Sequence, residues 1–191
     1  MATWINMRNR VFCKGDSITV GLDGMTGGWR KNLATAMTAA GHSYSWAGFY
    51  SDATGSHGGL AGDQAGAQTS AFQTECLRRA PTVIILALGV NDTAQTAATV
   101  LTRMTALMDW AVAGAPNAHI FQQTVLTIPT QTAKIAEINA ALPDLCTARG
   151  ITLIDMGDPE RDGGAVHPID GATGYDLMAS TIAAAVLPVL V

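Results

Sequence analysis

The chain has 191 residues, 48% hydrophobic and 14% charged, with a net charge of −4. That is apolar enough to build one ordinary core and excludes a disordered chain. No basic run exceeds Arg78-Arg79, which excludes a nucleic-acid footprint, and the apolar stretches are too short and broken to span a bilayer as a helix.

The segment Met1–Arg8 lacks the basic-then-apolar pattern of a signal peptide, so a soluble chain is expected and its compartment is left open. Cys13, Cys76 and Cys146 are scattered, without metal-type spacing. They are expected to be buried thiols, with a disulfide left open. No cofactor and no metal site is expected.

Arg10 to Lys14 reads as a first strand. Residues 27–40 read as a helix, because Trp29, Leu33, Met37 and Ala40 recur on one face. Gly41 supplies a stop signal. Residues 44–49 form a second strand with aromatic content. Residues 50–62 are rich in Ser, Gly, Asp and His and are expected to be loop. Asp63 then looks like the N-cap of a helix reaching Arg79.

After Pro81, the run Thr82-Val83-Ile84-Ile85-Leu86-Ala87-Leu88 is the strongest strand. Its unbroken apolar character suits a central parallel strand covered on both faces. Residues 96–113 form a long helix with Val100, Met104, Leu107 and Ala111 on one face. Residues 119–126 are a fourth strand. Residues 132–149 are a helix, kinked or broken at Pro143. Residues 151–155 are a fifth strand, a polar loop covers 156–172, and a last helix spans 173–187.

Strands that alternate with helices imply a parallel sheet between two helical layers. The expected fold is α/β: a three-layer α/β/α sandwich on a five-stranded, parallel, flavodoxin-like sheet. With no repeat and no linker, residues 1–191 are read as a single domain.

Four stretches fall on the rim formed by the carboxyl ends of the strands, where ligands sit in open α/β sheets. They are Gly15-Asp16-Ser17, Ser56-His57-Gly58-Gly59, Gly89-Val90-Asn91-Asp92 and Val166-His167-Pro168. A serine hydroxyl needs a nearby base to become a nucleophile. His167 is the best base for Ser17: imidazole titrates near neutral pH, and Pro168 stiffens its turn. Asp16 reads as a loop-fixing acceptor, since adjacent residues point apart. His42 and His57 read as loop or surface residues, and His119 as the opening of a strand. Asp16, His57 and Gly58 are candidates for touching substrate.

In order and spacing these four blocks resemble the SGNH, or GDSL-type, hydrolase superfamily over nearly the full chain. Within it the chain looks most like acetyl-xylan-esterase-type carbohydrate esterases. The resemblance implies the SGNH hydrolase fold and a serine esterase working through an acyl-enzyme. It implies Ser17 as nucleophile and His167 as base. It assigns the oxyanion donors to the Ser17 N–H, the Gly59 N–H and the Asn91 side-chain amide. The family usually carries an aspartate three residues before the histidine, where this chain has Gly164. Asp162, five residues before His167, is favoured as the orienting acid, because Asp162-Gly163-Gly164 allows a bulge. The alternative is a Ser17–His167 dyad.

The expected activity is removal of short acyl groups, foremost O-acetyl on carbohydrate. The partner is thus a small-molecule or carbohydrate ester, with oligomeric state left open. Trp29, Trp46 and Tyr50 are candidates for stacking on sugar. A thioesterase or lysophospholipase on the same site is the competing enzyme reading. A non-catalytic carbohydrate-binding module is the competing reading from another class.

Overall fold

A computed structural model of the chain describes residues 9–21, 27–67, 69–161 and 166–191. Among these, strand β1 (Asn9–Gly15) is the sheet's organising element. It is buried along almost its whole length, with Val11, Phe12 and Cys13 fully inaccessible. On one side it runs parallel to β5 (Val83–Ala87), from Val11 opposite Val83 to Gly15 opposite Ala87. Beyond β5 lie β6 (His119–Gln123) and β7 (Thr152–Ile154), both parallel.

The other side of β1 is shared by two strands. β2 (Tyr44–Ala47) pairs with its first half and β4 (Gly55–Gly59) with its last two residues, Lys14 and Gly15. β3 (Tyr50–Asp52) closes the edge as an antiparallel partner of β4. The sheet among the described residues has seven strands, in the order β3-β4-β1-β5-β6-β7 with β2 also on β1, against the five expected; the mostly parallel sheet is as expected, and the two additional strands are β3 and β4. The correction concerns residues 50–62. Their Ser, Gly and His content reads as loop, yet 50–59 form a β-hairpin turning at 53–54. Main-chain pairing with β1 and β3 stabilises a segment whose side chains have little strand propensity.

The helices segregate as right-handed crossovers require. α1 (Ser17–Val20), α2 (Gly28–Ala39) and α6 (Tyr175–Val186) pack together on one face. α3 (Thr69–Arg79), α4 (Ala97–Gly114) and α5 (Thr132–Thr147) pack in succession on the other. α2 buries Trp29, Leu33 and Met37, and α4 buries Val100, Met104, Leu107 and Ala111, matching their apolar stripes. Thr96 caps α4 by accepting the Thr99 N–H.

Two further expectations are corrected. α5 runs unbroken through Pro143. α3 begins at Thr69, so Asp63 is not its N-cap. The Asp63 carboxylate instead meets the Lys14 ammonium at 2.5 Å, with both side chains buried. A buried cation on β1 claims the carboxylate more strongly than orphan N–H groups do. All three cysteines are free and buried. No helix among the described residues is long and apolar enough to cross a membrane.

Candidate active site

β1 stops at Gly15 because α1 must start at once. A Cβ on Gly15 would lie 2.0 Å from Thr19 Oγ1 and 3.0 Å from the Ala87 carbonyl oxygen. Only glycine lets the one-turn helix fold back this closely on the strand end. Asp16 then caps α1 with its carboxylate, accepting the Ile18 N–H at 2.9 Å. The sharp strand-to-helix turn leaves Ser17 as the first residue of α1, at the sheet rim.

Ser17 is only 5% exposed, and its Oγ lies 2.8 Å from Nε2 of His167. The histidine arrives from the loop after β7. That loop doubles back on itself: Arg161 bridges Pro168, the Ile169 N–H donates to the Glu160 carbonyl, and the Glu160 N–H to the Thr173 carbonyl. Residues 169–173 are thus tied down, and the Tyr175 N–H donates to the Ile169 carbonyl as α6 begins. Asp162, Gly163 and Gly164 lie outside the described residues. Of the other carboxylates upstream, Asp158 faces Arg161 at 3.3 Å and Glu160 accepts the Thr173 hydroxyl at 2.6 Å.

Asn91 follows β5 on the same rim. Its side-chain amide donates to the Asp63 carbonyl at 3.1 Å, which fixes the amide plane and leaves its second hydrogen for another acceptor. The surrounding loops are held by buried charge that sequence reasoning missed. Lys14 grips Asp63. Asp92, fully buried, accepts the Ala65 N–H at 2.9 Å and Arg103 Nη1 at 3.2 Å. Lys134 caps the turn after Asn91 by donating to the Asp92, Thr93 and Gln95 carbonyls. A lysine or arginine inside an apolar stripe, such as Lys14 in β1 or Arg30 beside Trp29, was the available signal.

Gly59 ends β4 with its N–H donating to His57 Nδ1 at 3.2 Å. His57 is 4% exposed, which corrects its reading as a loop or surface residue. Its other nitrogen lies 3.5 Å from the Asp52 carboxylate, which is ion-paired with Arg30. Burial first, then the Arg30 charge, push the His57 pKa down, so the ring is neutral and can accept at Nδ1. Gly58 is a packing position: a Cβ there would lie 2.4 Å from the Phe12 ring. Asp16, His57 and Gly58, the candidates for touching substrate, are all buried. Trp29 is in the core, Trp46 is half-buried against Tyr44, and Tyr50 is 38% exposed.

Asp16 is buried beneath the rim, and burial pushes its pKa up to about 7, against the pull of the Ile18 N–H and Lys14. Cys13 next to Lys14 is pushed up to about 12 by burial, so it is a packed thiol and not a nucleophile. No cluster of three or more metal-type ligands occurs among the described residues.

A hydroxyl in hydrogen-bond contact with an imidazole, at the carboxyl edge of a parallel sheet between helices, defines a serine hydrolase of the α/β/α type. The chain belongs to the GDSL-like lipase/acylhydrolase family, whose family model matches residues 13–177. No curated protein matches the chain significantly. Among solved structures, a carbohydrate esterase of family 3 from Talaromyces cellulolyticus superposes with a TM-score of 0.80 at 21% identity, covering 94% of this chain and 97% of that one. An acetyl esterase variant with an acetate ion superposes with a TM-score of 0.79 at 20% identity, covering 94% and 97%. TesA superposes with a TM-score of 0.76 at 15% identity, covering 95% and 100%. At such identities the likeness establishes the fold.

Proposed function

We propose that the protein is a serine esterase that removes short acyl groups, foremost O-acetyl groups, from carbohydrate. The observation that carries this reading is the 2.8 Å contact between Ser17 Oγ and His167 Nε2 at the sheet rim. With the imidazole proton on Nδ1, Nε2 takes the hydroxyl proton as Oγ attacks the ester carbonyl carbon. The tetrahedral oxyanion is met by the Ser17 N–H and the free hydrogen of the Asn91 amide; the Gly59 N–H, the third expected donor, is given to His57 Nδ1 and would have to leave it to join them. Collapse breaks the ester C–O bond, and His167 returns the proton to the departing alcohol. Water, deprotonated by the same nitrogen, then attacks the acyl-enzyme and releases the acid and Ser17. Asp162 is proposed to hold the Nδ1 proton, a role for which Asp158 and Glu160 are less suited because they face Arg161 and Thr173.

Two features favour a short acyl group on a polar alcohol. The apolar hollow beside Asp16, walled by Ile18, Leu88, Val90 and Val125, is a small cavity of about 20 Å³. A wider cleft of about 420 Å³ runs along Gly62, Asp63, Gln64 and Arg103, next to Asn91. The Gln64 amide and the Arg103 guanidinium in its wall suit sugar hydroxyls. The solved carbohydrate esterase and acetyl esterase among the structural neighbours agree with this choice.

The test is the initial rate on p-nitrophenyl acetate, butyrate and octanoate, and acetate release from acetylated xylan, with Ser17→Ala and Asp162→Ala alongside. Acetate preference, abolished in Ser17→Ala and cut by orders of magnitude in Asp162→Ala, supports the reading. Preference for octanoate or an acyl thioester would replace it with a thioesterase or lysophospholipase. Undiminished activity in Asp162→Ala would replace the triad with a dyad. No turnover of any ester would favour a binding module.

A further inference from the structure

Helix α1 carries Ser17 and is a single turn long, too short to hold its own shape. Its geometry is set by the groups that satisfy its two ends. At the amino end Asp16 accepts the Ile18 N–H. At the carboxyl end the Ser17 carbonyl takes the Gly21 N–H and the Val20 carbonyl takes the Gly27 N–H, both at 2.8 Å. The Thr19 carbonyl takes a side chain instead: Nε of Arg30 donates to it at 2.8 Å. Arg30 reaches in from the first turn of α2 and is fully buried.

The other edge of the guanidinium is also held. Nη2 meets the Asp52 carboxylate. Asp52 is fixed in turn by its own hairpin, accepting the Thr54 and Gly55 N–H groups at 2.8 and 3.2 Å. A guanidinium is planar, with Nε and Nη2 at a set separation and angle. One rigid group therefore ties α1 to β3. Nη1 is buried as well and has no hydrogen-bond partner among the described residues. A buried ion pair with an unmatched nitrogen is a poor source of stability, because apolar side chains of similar volume fill such a space as well or better. What the pair supplies is direction for the Thr19 carbonyl.

We infer that Arg30 is a positioning residue for the nucleophile: anchored by Asp52, it fixes the Thr19 carbonyl and so holds α1 where Ser17 Oγ meets His167 Nε2. The inference rests on the proposed role of Ser17 as nucleophile. Packing already presses α1 against its neighbours: a Cβ on Gly15 would strike Thr19, and a Cβ on Gly28 would lie 2.5 Å from the Ile18 carbonyl oxygen. Such packing limits how far the turn can move, whereas the hydrogen bond to Thr19 fixes its rotation. Rotation of α1 would carry Oγ away from its 2.8 Å contact with Nε2. A misplacement of about 1 Å can cost about 100-fold in rate.

The experiment compares kcat and KM on p-nitrophenyl acetate, and the rate of Ser17 phosphonylation, for wild type, Ser17→Ala, Arg30→Met, Asp52→Asn and Leu107→Ala, with thermal melting of each. Leu107 is a buried residue of α4, on the opposite face of the sheet, and serves as the purely structural control. Arg30→Met should lower kcat and the phosphonylation rate by about 10- to 100-fold, with KM changed less than about threefold. Asp52→Asn sets an amide beside the guanidinium in place of the carboxylate and should lower both rates by a smaller factor. Leu107→Ala should melt earlier yet keep the wild-type kcat at temperatures where it is folded. A folded Arg30→Met or Asp52→Asn with wild-type kcat would overturn the inference, as would a loss in Arg30→Met no larger than that in Leu107→Ala. Should both Arg30→Met and Asp52→Asn fail to fold, the Nε–H resonance of Arg30 in wild type decides. It should exchange slowly with solvent and move on phosphonylation of Ser17; a resonance that exchanges fast or stays in place sinks the proposal. Wild type inert toward every ester, or Ser17→Ala as active as wild type, would instead sink the esterase reading beneath it.

Discussion

Ser17 Oγ and His167 Nε2 are separated by 150 positions in the chain and meet at 2.8 Å. The contact joins the first strand's end to the last loop, so it exists only when the whole sheet is assembled. Replacing either residue with alanine should lower kcat for p-nitrophenyl acetate by about 10⁴-fold or more, with melting temperature little changed, because the two act as one unit. The double variant should be no slower than the worse single one. Additive losses in steady-state kinetics would show that they act separately.

The Lys14–Asp63 pair is buried and holds the loop whose carbonyl fixes Asn91. Lys14→Met leaves a buried carboxylate without its cation and should cost about 3–5 kcal/mol in urea unfolding. Lys14→Met combined with Asp63→Leu removes both charges and should recover much of that stability. It should not recover activity, since the Asp63 loop no longer has its anchor. A double variant as unstable as the single one would argue against charge burial as the cause.

Asp16 ionises near pH 7 in the folded protein, far above its value of about 3.9 in an unfolded chain. Between these values the folded state binds a proton that the unfolded state has released. Stability from this residue is therefore full below about pH 4 and is lost as pH rises toward 7. Asp16→Asn keeps an oxygen to cap the Ile18 N–H and removes the charge. Urea unfolding at pH 5 and pH 8 should show a smaller pH difference in Asp16→Asn than in wild type. An equal difference in both proteins would mean that Asp16 titrates normally.

Gly15→Ala places a methyl group against Thr19, which is itself fully buried. Relief requires α1 to move off the strand end, at a cost of about 1–3 kcal/mol. The shift carries Ser17 with it, so the loss in kcat should exceed what the loss in stability explains. Calorimetry and single-turnover acylation on the same preparation would separate the two.

Burial raises the thiol pKa of Cys13 and Cys76 to about 12 and pushes Cys146 upward as well. The native protein should therefore resist a thiol reagent at pH 8 and react with all three cysteines once unfolded. Rapid labelling of a native cysteine would place that thiol at the surface.

The fold was legible because its signals are local. The β-branched run at 82–88, the apolar stripes at Trp29/Leu33/Met37 and Val100/Met104/Leu107, and the Gly and Thr residues that end or cap helices each carry their meaning within a few positions. Ser17, Asn91 and His167 were legible as rim residues for the same reason: each follows a recognisable strand. The β3–β4 hairpin was not. Its glycines and serines have turn propensity, and only pairing with β1 makes them strand.

By itself, then, the sequence determined a parallel α/β sandwich, its order of elements and the four loops that gather at one edge, because hydrophobic periodicity and turn chemistry are properties of neighbouring residues. Only the tertiary structure decided that Lys14 meets Asp63, that Arg30 and Asp52 stand behind His57, and that His57 holds the Gly59 N–H. Those contacts depend on which buried charge finds which partner across the sheet. Desolvation forces such pairing, but the identity of the partner is settled only when distant strands and helices come together.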